Sequence, residues 1–426
     1  MNNMKLRLIV MNFLQIGLWG AYLTSMGRYL GNIGLGSNIG WFYSMQGIVS
    51  LFMPAIVGII ADRWVPAQKM LGFCHIISAV LMALTGYYGY LHGSSTSFAP
   101  FFTLYSLAVA FYMPTLAISN SVAYNALDKA GLDTVRDFPP IRMFGTVGFI
   151  CCMWFVDLMG FQSNQNQFYV AAFLGLLLGL YSFSLPKCPI DHTKKAKSVV
   201  DALGLRAFKL FSQKKMAIFF IFSMLLGVSL QITNGFANPF LFHFATSPAY
   251  ADTFGVNHAN ILISLSQISE TFCILLIPFV MKHFGIKRVM LIAMFAWVFR
   301  FGLFGLGNPG IGVWMFVLSM IVYGVAFDFF NISGSLFVDK ETDKNLRSSA
   351  QGLFFLMTNG IGATIGTLGA QAVVNAFTHP LTVGGNTYTV GEWPTVWFIF
   401  AGYALIVGIL FALIFRYKTA PEQVKK

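Results

Sequence analysis

Three pairs of polar residues stand three apart inside runs that are otherwise apolar: Gln231 with Asn234, Gln267 with Glu270, and Asp328 with Asn331. A spacing of three puts both members of a pair on one face of a helix. An amide pair presents donors and acceptors together, and an acid beside an amide joins a proton-exchanging group to a solute-holding one. Tyr323 and Phe327 lie about one turn before Asp328 and Asn331 respectively, while Arg142, Thr146 and Phe149 form a stripe at i, i+4 and i+7 behind Pro139-Pro140. Such a set suits a neutral solute with many hydrogen-bonding groups and one flat face. The amides match hydroxyls and ring edges, and Phe149, Tyr323 or Phe327 can stack on a ring. An anionic solute would call for more cations than Arg142 and Arg300, and a drug exporter would need fewer committed polar partners.

The elements that carry these residues are membrane spans. Of the 426 residues, 57% are hydrophobic and only 10% charged, and phenylalanine alone contributes 45. A water-soluble chain of this size could not cover so much apolar surface with so few charges, and disorder and a disulfide scaffold are excluded as well. A spanning helix needs about 20 mostly apolar residues, and that ruler predicts twelve: 7–30, 40–61, 69–91, 98–122, 140–160, 167–186, 216–242, 258–281, 287–306, 311–336, 349–376 and 394–416. The first run has basic residues ahead of it but no small-residue cleavage site, so it reads as a retained span. The expected organisation is an N-terminal six-helix half over 1–186, a central loop over 187–215, a C-terminal six-helix half over 216–416 and a tail over 417–426.

Charge sign tests that count independently, because hydrophobicity found the spans without it. Arg63 and Lys69, Lys129 and Arg136, the basic central loop, Lys282 with Lys287 and Arg288, Lys340 with Lys344 and Arg347, and the tail all fall on one side. The opposite loops, 31–39, 92–97, 161–166, 243–257, 307–310 and 377–393, contain no Lys or Arg. Both termini and the central loop are therefore expected in the cytoplasm. The net charge of +12 is then a topology signal and not a nucleic-acid-binding face. The five cysteines lack zinc spacing, so neither a metal nor a redox pair is expected.

Each intramembrane polar residue also has a structural reading. A lone Gln, Asn or Thr can be interhelical glue, Arg142 can snorkel to the interface, and His75 reads as a packing histidine. Asp157 and Arg28 lie near span ends and read as interfacial, Arg300 as either an ion pair or a functional group, and Gly362 with Gly366 as a small-residue packing face. Glu270 and Asp328 differ from these. A carboxylate near the midplane of an apolar helix is expensive to bury and points to function.

Six plus six spans around a basic loop resemble the layout of the major facilitator superfamily. The loop after the second span, Gly58-Ile-Ile-Ala-Asp62-Arg63, resembles that superfamily's G-x-x-x-D-R conformational-switch signature, and His283-Phe-Gly285-Ile-Lys287-Arg288 is a degenerate echo six spans later. The stretches Asp137-Phe-Pro-Pro-Ile-Arg142-Met-Phe-Gly-Thr146-Val-Gly-Phe149, Ala217 to Gly227, Gln231-Ile-Thr-Asn234, Ser266-Gln267-Ile-Ser-Glu270 and Ala326 to Gly334 resemble the bacterial nucleoside:proton symporter family. The resemblance runs essentially end to end. It implies a nucleoside site lined by Arg142, Thr146, Phe149, Gln231, Asn234, Gln267, Glu270, Tyr323 and Phe327. It further implies that Asp328 joins Arg142 in charge balance and proton coupling, with Glu270 as the other acid.

The expectation is an all-α polytopic protein of the bacterial cytoplasmic (inner) membrane that imports nucleosides with protons by alternating access. It would act as a monomer, without a cofactor or metal, driven by the proton gradient. The alternative is a sugar:proton symporter of the same superfamily, which could use the same amides, acid and arginine. An enzyme is not expected, because the loops away from the basic side hold Asp252, Glu392 and scattered histidines with no nucleophile–base or metal-ligand spacing.

Overall fold

A computed structural model describes residues 3–190, 205–343 and 346–417. The central-loop positions 191–204 and the tail from 418 lie outside the described residues, as do the side chains of Asp62 and Arg63. Apolar runs of spanning length become helices because only a helix satisfies every backbone group within its own segment in lipid. Among the described residues, nine helices are long and apolar enough to cross a membrane. One of them, Ala259–Leu306, is two helices joined at Gly285, whose φ of +72° breaks the helix and favours a residue without a Cβ. Asn166–Ser182 is a shorter apolar helix, and the first run is split into two. All twelve expected segments are helical.

In chain order the helices are α1 (Asn3–Gly20), α2 (Met26–Asn32), α3 (Ile39–Ser50), α4 (Met53–Arg63), α5 (Ala67–His92), α6 (Phe98–Lys129), α7 (Thr134–Leu158) and α8 (Asn166–Ser182). They continue with α9 (Lys214–Leu230), α10 (Ile232–His243), α11 (Ala259–Leu306), α12 (Val313–Glu341), α13 (Arg347–Phe355), α14 (Ala363–Phe377) and α15 (Trp393–Ile414). Four expected spans are interrupted near their middles, the second span at residues 51–52 between α3 and α4. The first unwinds at 21–25, where the Tyr43 hydroxyl donates to the freed Leu23 carbonyl. The seventh breaks at Gln231, and the eleventh passes through a π-helical stretch, Leu356–Gly362. Interruptions of this kind at membrane depth are tolerated where neighbouring side chains re-satisfy the backbone.

The segment 377–393, expected as a plain loop, contains a hairpin. Strand β1 (Thr378–Val383) pairs antiparallel with β2 (Asn386–Gly391). Gly384 and Gly385 make its two-residue turn with φ of +58° and +81°, a turn that demands positive φ at both central positions.

The chain forms two compact units. Unit 1 comprises Met1–Leu203, Gln231–Ser264 and Thr367–Gly391, and unit 2 comprises Gly204–Leu230, Leu265–Gly366 and Glu392–Lys426. In unit 1, α1 lies along α7, α5 packs on α6 and α8, and α10 packs on α2 and β2. In unit 2, α9 packs on the π-helical stretch and on α15. Gly362 and Gly366 are the packing face expected of them: a Cβ there would meet the Met224 and Val228 carbonyl oxygens at 2.3 and 2.0 Å.

Candidate functional site

Unit 1 holds five of the expected site residues. Arg142, Thr146 and Phe149 lie on one stripe of α7, and α1 fixes that stripe by unusually close approach. A Cβ at Gly20 would sit 2.4 Å from the Phe149 carbonyl oxygen, and one at Gly148 would sit 2.3 Å from that of Phe13. Only hydrogen fits at those crossings, so α1 seats the Phe149 backbone. The Phe149 ring meets Trp19 edge-on, with centroids 6.4 Å apart at 84°, and Trp19 meets Tyr112 at 5.9 Å. Arg142 folds back along its own helix. A Cβ at Gly145 would lie 2.9 Å from both the Arg142 Nη1 and the Ile16 side chain. Tyr112, which donates to the Gln15 carbonyl at 2.8 Å, feels the Arg142 charge.

Gln231 occupies the break between α9 and α10, and Asn234 donates to its Oε1 at 2.8 Å. The i, i+3 reading therefore holds as a direct bond. It uses one donor and one acceptor and leaves the Gln231 NH₂ and the Asn234 carbonyl oxygen for another partner. Both residues are half-buried, as a group that takes a solute from water must be.

Unit 2 holds the rest. A Cβ at Gly324 would lie 2.8 Å from the Ser269 backbone, so α12 crosses α11 with nothing between them at that level. This crossing brings Glu270 within electrostatic reach of both Asp328 and Tyr323. Asp328 is 5% exposed, and its Oδ2 has no hydrogen-bond partner among the described residues. The Gln267 Oε1 is likewise buried without one. Tyr323 and Phe327, four apart on α12, stack on each other with centroids 5.5 Å apart at 14°. Arg300, whose role the sequence left open, is 2% exposed. It donates to the Ser319 carbonyl at 2.8 Å and lies 4.6 Å from the Tyr323 ring centroid. Within their own unit, the two acids thus share one neighbourhood with a stacked ring pair that a buried cation supports from behind.

Asp157 and Arg28 stand near helix ends and are paired within the protein. The Asp157 side chain is 0% exposed and pairs with His258 Nδ1 at 2.5 Å. The Arg28 guanidinium lies 3.5 Å over the Phe242 ring and its Nε donates to Ser163 at 2.6 Å. His75 is the packing histidine expected, buried with Nε2 2.7 Å from Gln15 Oε1. Trp19 and Tyr112 were missed altogether, because aromatic residues in an apolar span carry no signal of which ring they will support. Gly58, Asp62 and Arg63 fall on α4, a helix ending at the switch signature, and the two charged side chains lie outside the described residues.

Amides, rings and two neighbouring acids set into apolar helices are the furniture of a solute path through a membrane transporter. Residues 1–420 match the family described as nucleoside H+ symporter. The chain is 47% identical over 426 residues to the xanthosine permease of Escherichia coli K12, covering 99% of this chain and 98% of that protein. It is 46% identical over 420 residues to the nucleoside permease NupG of the same organism, covering 98% and 97%. The crystal structure of the nucleoside transporter NupG superposes with a TM-score of 0.88 at 45% identity, covering 98% of this chain and 100% of that one. The inward-open xylose transporter XylE of E. coli shares the fold, with a TM-score of 0.66 at 13% identity. The chain belongs to the nucleoside H+ symporter family.

Proposed function

We propose that the protein imports nucleosides together with protons, working as a monomer in a bacterial cytoplasmic membrane with both termini and the central loop inside. The observation that carries this reading is that Glu270 lies within electrostatic reach of buried Asp328 and of Tyr323 in the Tyr323–Phe327 stack, in a chain of this family. A buried acid with one oxygen unpartnered, as Asp328 has among the described residues, can take a proton when water reaches it from one side and give it up to the other. Asp328 is the carrier in this reading. Glu270, one turn from Gln267, holds the solute as well. Gln231 and Asn234 bond ribose hydroxyls or base edges with the donor and acceptor they keep free, and Phe149, Tyr323 and Phe327 offer faces to the base. Arg142, from its recess at Gly145, serves charge balance. The Asp62–Arg63 signature at the end of α4 serves the conformational switch.

Orientation rests on the bias of Lys and Arg to one set of loops. The sugar:proton alternative is not favoured, because relatives that match this chain over nearly its whole length are named for nucleosides or xanthosine. The test is uptake of labelled uridine, adenosine and xanthosine into proteoliposomes, with and without an imposed pH gradient. Accumulation of a nucleoside only under the gradient is the expected result. Gradient-independent equilibration, or competition by a hexose but by no nucleoside, would overturn it.

A further inference from the structure

Unit 1 contains a seam that the transport chemistry above does not use. Asp157, from the last turn of α7, reaches the start of α11: its Oδ1 accepts from His258 Nδ1 at 2.5 Å and its Oδ2 from the Ile261 backbone N–H at 3.2 Å. The carboxylate thus closes the N-terminal end of a helix 101 residues further along the chain, where orphan N–H groups and the helix dipole both favour negative charge. Side chains continue the seam on either hand. Asn238 Nδ2 donates to Asn260 Oδ1 and to Gln162 Oε1, each at 3.0 Å, and the Thr24 hydroxyl donates to Asn260 Oδ1 at 3.1 Å. The Gln162 amide donates to the Asn257 carbonyl at 3.3 Å, and the Trp154 indole to the Ser264 hydroxyl at 2.8 Å. Each of these bonds except Asn238–Asn260 joins a residue before the central loop to one after it.

The seam lies at the end of the spans whose loops carry no Lys or Arg. Asn238, Asn260 and the Asp157 side chain are each 0% exposed. Asn238 Oδ1 and Asn260 Nδ2 are buried without a partner among the described residues, whereas both Asp157 oxygens are paired. A buried carboxylate is costly once its partners are stripped, so the Asp157 end of the seam is stable when shut and costly when half-broken. A two-state latch has that property.

We infer that Asp157 is a positioning residue of the transport cycle: with His258 and the first turn of α11 it latches the lysine-free end shut, and this latch must part for solute to enter there. The inference rests on the transport reading only for its kinetic arm. Asp157→Asn keeps the shape and removes the charge, and His258→Gln weakens the same pair from the other side. Both are compared with wild type as whole protein in nanodiscs.

Amide hydrogen exchange, which needs no nucleoside, reads the latch directly. Both variants should exchange about tenfold faster across 232–243 and 259–264, since removing one partner leaves the other buried and uncompensated. Exchange across 335–343, in unit 2, should not change. In uptake from the lysine-free side, KM should fall about threefold, because less of the protein is held in a state that cannot bind there. Vmax should fall too, because the return to the shut state becomes the slow step. Unchanged exchange would overturn the inference, as would acceleration spread equally through unit 2, which would mean general loosening. Local acceleration with KM and Vmax both unmoved would also overturn it. If exchange behaves as expected but no nucleoside is transported at all, the latch stands and the transport reading fails.

Discussion

Two buried aspartates set the two regions of this molecule apart. Asp157 sits in a seam where its oxygens accept from an imidazole and a helix N-terminus, amid amides that bond one another. Asp328 sits at a bare helix crossing with a second acid for company and one oxygen unpartnered among the described residues. The residue type is the same and the depth of burial similar, at 4% and 5% exposure. The surroundings differ. A satisfied carboxylate resists any change that would strip its partners, so it suits a part that holds a conformation. An unsatisfied one gains from each change of state, so it suits a part that loads and unloads. In a protein that must both move and carry a proton, these tasks need opposite electrostatics, and the chain keeps them in separate units.

The largest effect is expected at Asp328. Asp328→Asn should abolish accumulation of nucleoside against a gradient while leaving binding at least partly intact, as read by uptake under an imposed pH gradient and by calorimetry. A mutant that still concentrates nucleoside with normal pH dependence would move the coupling role to Glu270. Glu270→Gln should act on binding itself and weaken nucleoside affinity about tenfold or more, since it removes a charged partner from a buried hydrogen bond. Calorimetry should then separate the two acids.

The amides come next in size. Gln231→Ala, Asn234→Ala or Gln267→Ala should each weaken binding by roughly 1–3 kcal/mol, the cost of orphaning a buried partner. Membrane insertion should be normal by expression and gel filtration. If all three bind normally, the Gln231–Asn234 bond is helix glue. The smallest effect should be on stability. Asp328→Asn should leave the melting temperature within about 2 °C of wild type or raise it, because it removes a poorly satisfied charge. Asp157→Asn should lower it. Equal losses for the two variants would erase the distinction between them.

Legibility in the sequence followed the reach of each signal. Spans were legible because twenty apolar residues in a row have one cheap conformation in lipid. The nearness of Gln231 to Asn234 was legible from a spacing of three, but the break at Gln231 and the mutual stacking of Tyr323 on Phe327 were not marked by any local signal. The Asp157–His258 pair was not, because its members stand 101 residues apart and nothing local marks them as partners. The neighbourhood of Glu270 and Asp328 was half legible: each acid announced itself, but only the crossing at Gly324 brings them together. The hairpin was legible and overlooked. Thr-Val-Gly384-Gly385-Asn-Thr-Tyr-Thr-Val carries the turn pair and the alternating β-branched flanks of a tight hairpin, but lay hidden in a stretch read only for its lack of charge.

That hairpin has a consequence for how copies of the protein behave when crowded in a bilayer. A two-stranded ribbon offers unpaired backbone along its rim, and a neighbour could stitch itself on there as an extra strand. Counting back from the Val383–Asn386 pair that closes the turn, Pro380 stands opposite Thr389, at a position whose nitrogen points away from β2. Proline has no hydrogen to offer on that nitrogen, and its ring occupies the place where a recruited strand would have to dock. The outward rim of β1 is therefore blunted near its middle. A ribbon otherwise rich in threonine, valine and tyrosine, the composition that propagates sheets from molecule to molecule, is left without a continuous template.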